Sequence, residues 1–187
     1  MATDISAPSL KKLEDELDDE LSMQIKTMVT DGFHGLEKKA NQIAIIAGMG
    51  GHTIVEIIDE NLDFAKSLNY MILASNVATE TLRKFLNDNG FIITRDFLTF
   101  ENGKYYDILK VNPGSDQDLS LADIYYGYEN IENHSSLLKE KLDIEYVKNI
   151  EFKEDIEKYS QGRAGIDRIN ERLDAIREVH DRWKLES

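Results

Sequence analysis

The sequence predicts an α/β protein in which a largely parallel sheet is followed by a long helical region. Up to about Asn112, apolar runs of strand length alternate with amphipathic helical stretches, a pattern typical of βα units that build a parallel sheet. Beyond Pro113-Gly114 those runs stop, and long, charged helical stretches take over. We therefore predict an α/β domain over residues 1–113 and a helical domain over residues 114–187.

Two short strands, each ending at an aspartate, are predicted near the start of the chain. They are Ala2-Thr3-Asp4 and Ile25–Thr30, and the second runs into Asp31-Gly32. A carboxylate at such a strand end can accept hydrogen bonds from ribose hydroxyls or from an adenine amino group. The alternatives are a helix N-cap or a disordered terminus for Asp4, and an ordinary turn for Asp31-Gly32. Four leucines at helical spacing predict one helix between the strands: Leu10, Leu13, Leu17 and Leu21.

The segment Ile43–Gly51 is the predicted functional centre of the chain. Its apolar run Ile43–Ala47 has the composition of a central strand buried on both faces. The turn Gly48-Met49-Gly50-Gly51 then leads into a helix. Glycines let a backbone approach a ligand closely, and a helix N-terminus offers free N–H groups. The turn is not a phosphate-binding P-loop, because no Lys-Ser/Thr pair follows it. A tight strand–helix turn without a ligand is the alternative.

The rest of the predicted sheet begins with a buried strand over Tyr70–Leu73. Asn76 follows this strand, and its amide can either read a base edge or cap the next helix. That helix is predicted over Thr79–Asn89, with Gly90 as its C-cap. Two further strands flank an Asn-Gly turn and predict an antiparallel hairpin at one sheet edge: Phe91–Phe100 and Tyr105–Val111.

Two long helices are predicted in the last third of the chain, over Leu137–Tyr159 and Ile166–Trp183, interrupted around Gly162 and Gly165. Apolar residues three and four apart predict a helical hairpin or coiled coil: Ile166, Ile169, Leu173, Ile176, Val179 and Trp183. The arginines alternate with acidic residues and predict a solvated face, with a phosphate-contacting stripe as the alternative: Arg163, Arg168, Arg172, Arg177 and Arg182.

The charge, the cysteine content, the apolar runs and the histidine positions argue against several classes of function. The net charge of −14 argues against non-specific nucleic-acid binding but leaves room for a local basic face. The chain has no cysteine, which fits a reducing cytoplasm, where we expect the protein. No apolar run approaches the roughly 18 residues that cross a bilayer, so we expect no membrane partner. The histidines lie far apart, so we predict no metal site: His34, His52, His134 and His180.

Taken together, the residues from Ala2 to the C-terminal helices resemble the bacterial tRNA (adenine(22)-N1)-methyltransferases. The resemblance is carried by four segments: Ile43–Gly51 (IAIIAGMGG), Thr79–Leu86 (TETLRKFL), Asn89-Gly90-Phe91 and Asp96–Val111 (DFLTFENGKYYDILKV). It implies a Rossmann-like class I methyltransferase sheet that binds S-adenosylmethionine, and a C-terminal helical coiled coil that helps to hold tRNA. The implied activity is methyl transfer to N1 of an adenine in tRNA.

The resemblance also implies roles for individual residues. Gly48, Met49, Gly50 and Asn76 form the implied catalytic set, with the turn as a wall between the cofactor methyl and the target base. Asn76 lies in the segment that the resemblance implies would face the extruded adenine. The implied cofactor-binding set is Asp4 on the ribose hydroxyls, Asp31 and Gly32 on the adenine side, and the turn glycines Gly48 and Gly51. Because adenine N1 already carries a lone pair, no covalent catalyst is needed; the enzyme must extrude the base and align N1 with the sulfonium methyl, so positioning supplies most of the rate.

Three departures from the family pattern lead to further expectations. The family opens with a strand and an Asp-x-Gly-Ser-Asp-His type loop, so we expect an N-terminally truncated chain whose first βα unit is missing. The family's Gln-Pro before the asparagine is Ala74-Ser75 here, and Glu14–Glu20 is unusually acidic. Because the first strand and its loop are missing, we expect a less stable chain that exposes an apolar sheet edge or recruits another segment to cover it. We also expect self-association through that edge or the helical tail, and weak or absent binding of S-adenosylmethionine.

Two other functions compete with the enzymatic interpretation. The chain can be a truncated, catalytically inactive relative that acts at most as an RNA- or protein-binding module. It can also be a helical interaction protein whose α/β part is only a scaffold.

Overall fold

The computed structural model describes residues 1–115, 117–159 and 163–185, and its strands form two sheets. In the smaller sheet, β1 (Ala2–Asp4) pairs in parallel with β2 (Thr27–Val29). The larger sheet has the order β3-β4-β6-β5, built from Ile43–Ile46, Tyr70–Ser75, Lys104–Pro113 and Phe91–Glu101 respectively. Strands β3 and β4 are parallel, whereas β6 is antiparallel to β4 and β5. The ends of β3 and β4 therefore share one sheet edge with the start of β6, called here the carboxyl edge.

Helices α3 (Gly51–Asp59) and α5 (Thr79–Asp88) pack together against this sheet, and the short α4 (Leu62–Ala65) follows α3. The predicted helix over Thr79–Asn89 and the predicted hairpin are confirmed, and Gly90 takes the left-handed φ of +79° that ends α5. Burying each large apolar side chain stabilises the fold by about 1.5–3 kcal/mol. The fully buried members of this core include Ile54, Ile58, Leu73, Leu82, Leu86 and Leu109.

The strand β3 is not the doubly buried central strand that the sequence predicted. It lies at the edge of its sheet, and among the described residues only β4 pairs with it. Ile43 and Ile45 consequently keep 47% and 67% of their surface exposed. An apolar run indicates that a strand is suited to burial, but it does not indicate which strands lie beside it in the sheet. The exposed apolar sheet edge expected above is found at these two isoleucines.

The single helix predicted across the four N-terminal leucines is also wrong. The structure has α1 (Ala7–Glu16) and α2 (Asp19–Gln24), separated by Leu17 in an extended conformation. The carboxylate of Asp18 accepts a hydrogen bond from the Leu21 amide at 2.8 Å and caps α2, so a local side-chain bond starts a new helix. Of the four leucines only Leu10 is buried.

The helical region contains α6 (Leu121–Tyr126), α7 (Tyr128–Glu132), α8 (Ser136–Tyr159) and α9 (Arg163–Leu185). The two long helices confirm the prediction, whereas α6 and α7 were not predicted. Gly165 lies inside α9, so the interruption predicted there is wrong, and Gly162 lies outside the described residues.

The apolar positions of α9 pack into a second core that reaches the hairpin. Its buried members include Leu98 of β5, Ile131 of α7, Leu142 of α8 and, on α9, Leu173 and Ile176. The helices therefore pack directly on the sheet part of the chain, and the coiled coil and the division at residue 113 stay predictions. No helix in the described ranges is long and apolar enough to cross a membrane.

Candidate functional site at the carboxyl edge

The turn Gly48–Gly51 and the loop that follows β4 border two different cavities. The first, called here the aspartate cavity, has a volume of about 230 Å³ and brings together four of the predicted site residues: Asp4, Asp31, Gly32 and Met49. Its apolar wall includes Phe33, Ile45, Ile46 and Ile57. These residues come from the ends of β1, β2 and β3 and from α3. The cavity therefore combines carboxylates at strand ends with an apolar surface.

Asp4 lies at the end of β1, so it is neither a helix N-cap nor part of a disordered terminus. Its Oδ1 accepts a hydrogen bond from the Ser6 amide at 2.7 Å, while Ser6 itself is the N-cap of α1. The Asp4 carbonyl accepts a further bond from the Thr30 amide at 3.1 Å, and Asp4 pairs with Val29 of β2. The strand pairing and the start of α1 thus fix the position of Asp4, which lines the aspartate cavity.

Gly32 brings its backbone close to α3. It has a φ of +53°, and a Cβ atom at this position would lie 2.9 Å from the Ile57 Cγ2 atom. Both observations favour glycine here. The Asp31 carbonyl accepts a bond from the His34 amide at 3.0 Å, so Asp31-Gly32 forms a turn that also faces the cavity.

The turn Gly48–Gly51 contacts the loop that follows β4. The Gly51 amide donates to the Val77 carbonyl at 2.8 Å, and a Cβ atom on Gly51 would lie only 2.1 Å from the Ala78 carbonyl oxygen. Met49 lines the aspartate cavity, whereas Val77 and Ala78 line the second cavity. The glycine turn and this loop together therefore separate the two cavities.

The second cavity, called here the tyrosine cavity, has a volume of about 520 Å³ and lies between the carboxyl edge and the helical region. Asn76 lines it, and the capping alternative for Asn76 is wrong: the N-cap of α5 is Ala78, with a φ of +54° and no side-chain capping bond. Its other lining residues include Tyr105, Tyr125, Tyr126, Lys141 and Glu145, to which the sequence assigned no site role, and Arg172 of the arginine stripe. The signal available was the pair Tyr125-Tyr126 in an otherwise charged stretch.

A buried ion network lies beneath the tyrosine cavity. Arg83 has no exposed surface; its guanidinium donates to Asp96 at 2.8 and 2.9 Å and to Asp107 at 2.7 Å. Burial opposes ionisation of Asp107, but the charges of Arg83 and Lys141 outweigh it and hold the pKa of Asp107 below its usual range. Arg83 also donates to the carbonyls of Ile124 and Tyr125, each at 3.2 Å. One side chain therefore connects α5, β5, β6 and α6.

The arginine stripe of α9 is not the fully solvated face that the sequence predicted. Arg172 pairs with Glu80 of α5 at 3.1 Å, and Arg182 pairs with Asp123 of α6 at 2.8 Å. Both side chains are about one-third exposed, at 32% and 33%. Arg177 is well exposed, and the side chain of Arg163 is not among those that the structure describes.

The raised pKa of Tyr125 should make the stability of the folded chain depend on pH. Burial and the neighbouring Glu171 raise the pKa of Tyr125 to about 12, against about 10 for a free tyrosine. The folded chain then holds this proton more tightly than the unfolded chain, so its stability contribution is complete below about pH 10 and is lost as the pH rises towards about 12. Denaturant titrations at about pH 9 and about pH 11 should show this loss, and Tyr125→Phe should reduce it. An equal loss in the variant would contradict the assignment.

Comparison with known proteins identifies the family. The family model for tRNA (adenine(22)-N(1))-methyltransferases matches residues 1–178. The chain belongs to this family. A Mycoplasma pneumoniae relative is 31% identical over 123 residues, which are 65% of this chain and 55% of the relative. The tRNA (adenine(22)-N(1))-methyltransferase of Bacillus subtilis is 27% identical over 104 residues, which are 56% of this chain and 43% of that protein. The chain thus spans about half the length of the curated relatives it matches.

Solved structures of the family share the fold described above. A crystal structure of Sp1610 from Streptococcus pneumoniae superposes with a TM-score of 0.83 at 25% identity, over 95% of this chain and 80% of that chain. A second structure of Sp1610, in complex with S-adenosyl-L-methionine, gives 0.75 at 27% identity, over 95% of this chain and 78% of that chain. The Rossmann-like methyltransferase fold predicted from the sequence is therefore confirmed. Within the described residues, no group of three or more His, Cys, Asp or Glu side chains is placed to hold a metal ion.

Proposed function

We propose that this chain transfers a methyl group from S-adenosylmethionine to N1 of adenine 22 in tRNA. The observation that carries the proposal is the position of Gly48–Gly51, which lies with the loop after β4 between two cavities of different chemistry. A methyltransferase needs the methyl donor and the acceptor base to meet at such a wall. Family membership supports the same reaction.

The aspartate cavity fits the nucleoside part of the cofactor. Asp4 presents a carboxylate to ribose hydroxyls at the end of β1, as acidic residues do in dinucleotide-binding sheets. Asp31 and Gly32 lie on the side proposed for adenine, where Phe33 and Ile57 provide apolar contact for a flat ring. When bound, the cofactor supplies an electrophilic methyl group on its sulfonium.

The contribution of the protein to this reaction is positioning. Adenine N1 attacks the methyl carbon through its own lone pair, the C–S bond breaks, S-adenosylhomocysteine leaves, and the positive charge passes to the adenine. No covalent catalyst is needed, and alignment of the reacting atoms can supply most of the rate. The base must first leave the helical stack of the RNA. We assign Gly48, Met49 and Gly50 to the wall at the point of transfer. We assign Asn76, which lines the tyrosine cavity, to the contact with the base edge.

Asp4→Asn tests the cofactor assignment. Asparagine keeps an oxygen for the Ser6 amide but removes the charge that would hold the ribose hydroxyls, so we expect affinity for S-adenosylmethionine to fall at least about tenfold, or about 1.4 kcal/mol. Isothermal titration measures this change. Asp18→Asn is the matched control, because Asp18 also accepts an amide hydrogen bond at a helix start but does not line the cavity. Equal affinities of the two variants would overturn the assignment.

The proposed reaction itself is tested with labelled S-adenosylmethionine and an unmodified tRNA transcript. Because the sequence predicts weak cofactor binding, the assay uses about 1 mM cofactor, which still detects a binding free energy of only about −4 kcal/mol. We expect label in the transcript that carries adenine at position 22, and none in a transcript that carries guanine there. Equal labelling of both transcripts, or of neither, would contradict the proposal.

A further inference from the structure

We propose that a third cavity, on the long helices α8 and α9, binds an unpaired nucleotide of the RNA substrate that neighbours the target adenine. Its base stacks on Phe152, and its backbone phosphates contact Lys148 and Arg168. This cavity, called here the phenylalanine cavity, has a volume of about 460 Å³. The inference rests on the proposed function, since it takes RNA to be the substrate. It gives the RNA a contact surface outside the point of transfer.

The phenylalanine cavity adjoins the tyrosine cavity. Glu80 of α5, Glu145 of α8 and Arg172 of α9 line both cavities. The other lining residues belong to the two long helices: Lys148, Asn149, Phe152, Arg168 and Ile169. An RNA strand that brings its target base to the tyrosine cavity therefore brings a neighbouring nucleotide to this surface.

Two cations of this cavity are available to a ligand. Lys148 and Arg168 are exposed, and their side chains make no hydrogen bond or ion pair with any residue in the described ranges. Arg172 is engaged with Glu80 at 3.1 Å, and Glu145 adds one further carboxylate to the described lining. The lining is thus positive on balance although the chain carries a net charge of −14. Unpaired cations in a concave surface fit the phosphates of a nucleic-acid backbone.

Phe152 gives the same cavity an uncovered aromatic surface. The residue keeps 60% of its surface exposed, and its ring contacts no other ring or cation among the residues that the structure describes. Proteins that bind single-stranded nucleic acids combine such rings, on which bases stack, with cations along the backbone. Because every base has a flat face, the contact selects unpaired nucleotides without selecting a particular base.

Binding of short RNAs to the full chain tests this site. Fluorescence anisotropy at about 50 mM salt compares labelled oligouridylate and oligocytidylate of about eight nucleotides with a duplex of the same length. We expect the two single strands to bind equally well and the duplex about fivefold more weakly, because its bases are already stacked. Equal binding of the duplex, or full competition by polyglutamate of the same charge, would overturn the proposal, since either result requires only the cations.

Phe152→Ala tests the stacking contact. We expect it to weaken binding of the single strands about tenfold and to raise the KM for tRNA by a similar factor, with kcat unchanged because Phe152 does not meet the reacting atoms. Tyr146→Ala is the matched control, since Tyr146 is another aromatic residue of α8 with 45% of its surface exposed but does not line the cavity. Equal effects of the two variants would contradict the site.

Lys148→Gln and Arg168→Gln test the phosphate contacts. Each should reduce the slope of log affinity against log salt concentration by about 0.7, the value for one phosphate contact on a single strand. Lys139→Gln, at an exposed residue of α8 outside the cavity, should leave the slope unchanged. An unchanged slope in both cavity variants would reject the site. RNA binding that depends on Phe152 without any methyl transfer would uphold the site and reject the proposed function, whereas methyl transfer with an unchanged KM in Phe152→Ala would reject the site alone.

Discussion

Replacing Arg83 with methionine should lower the free energy of unfolding by about 3–5 kcal/mol, the usual cost of removing one partner of a buried ion network. Asp96 and Asp107 are almost fully buried, and without the guanidinium their charges would have to be protonated or exposed. Burial alone would lower the pKa of Arg83, but the two carboxylates raise it, so the charge is present in the native state. Denaturant titration at neutral pH measures the change.

Lys84→Met is the control for this prediction. Lys84 follows Arg83 in the same helix and pairs with Asp88 at 3.1 Å, but its side chain is 66% exposed. Exposed pairs of this kind contribute roughly 0.3–0.5 kcal/mol. A similar loss of stability in both variants would show that helix α5, and not the buried network, determines the effect.

Gly51→Ala should abolish methyl transfer and destabilise the chain by about 1–3 kcal/mol, the range observed when an atom is forced into a packed site. The added Cβ atom would lie 2.1 Å from the Ala78 carbonyl oxygen, so the glycine turn and the loop after β4 would have to separate. That separation would move Met49 and Asn76 apart at the proposed point of transfer. Thermal unfolding and the tRNA assay measure the two effects.

Gly165→Ala provides the matched control for the glycine substitution. A Cβ atom on Gly165 would meet only Ile156 Cδ1 at 3.4 Å, an acceptable contact inside helix α9. Alanine is favoured over glycine in a helix by about 1 kcal/mol, so this variant should be as stable as the parent chain or more so. Full methyl transfer by Gly51→Ala would contradict the role given to the turn.

The sequence predicted the aspartate cavity better than the tyrosine cavity for a physical reason. Asp4 ends one strand, and Asp31 and Met49 follow two others. The rule that strand ends gather at one sheet edge brings these residues together without side-chain detail. The tyrosine cavity is built between the sheet and helices far along the chain. Glu80 and Arg172, for example, are 92 residues apart, and no local pattern predicts such a contact.

Burial of Arg83 was unpredictable for a related reason. In the stretch TETLRKFL the arginine looks like any solvent-facing helical residue, because its partners Asp96 and Asp107 lie 13 and 24 residues away. The central position predicted for β3 was wrong for a different reason, because an apolar run such as Ile43–Ile46 does not distinguish an edge strand from a central one. Periodicity thus predicted which elements form, whereas the neighbours of each element required the structure.

The most direct test of the central claim, methyl transfer at the wall formed by Gly48–Gly51, is the identity of the methylated nucleoside. After incubation of the full chain with S-adenosylmethionine and an unmodified tRNA transcript, the RNA is digested and its nucleosides are separated by chromatography and mass spectrometry. We predict N1-methyladenosine from position 22, reduced to background by Gly51→Ala and retained by Gly165→Ala. Methylation at N6 of adenine, on another base, or undiminished in Gly51→Ala would contradict the account.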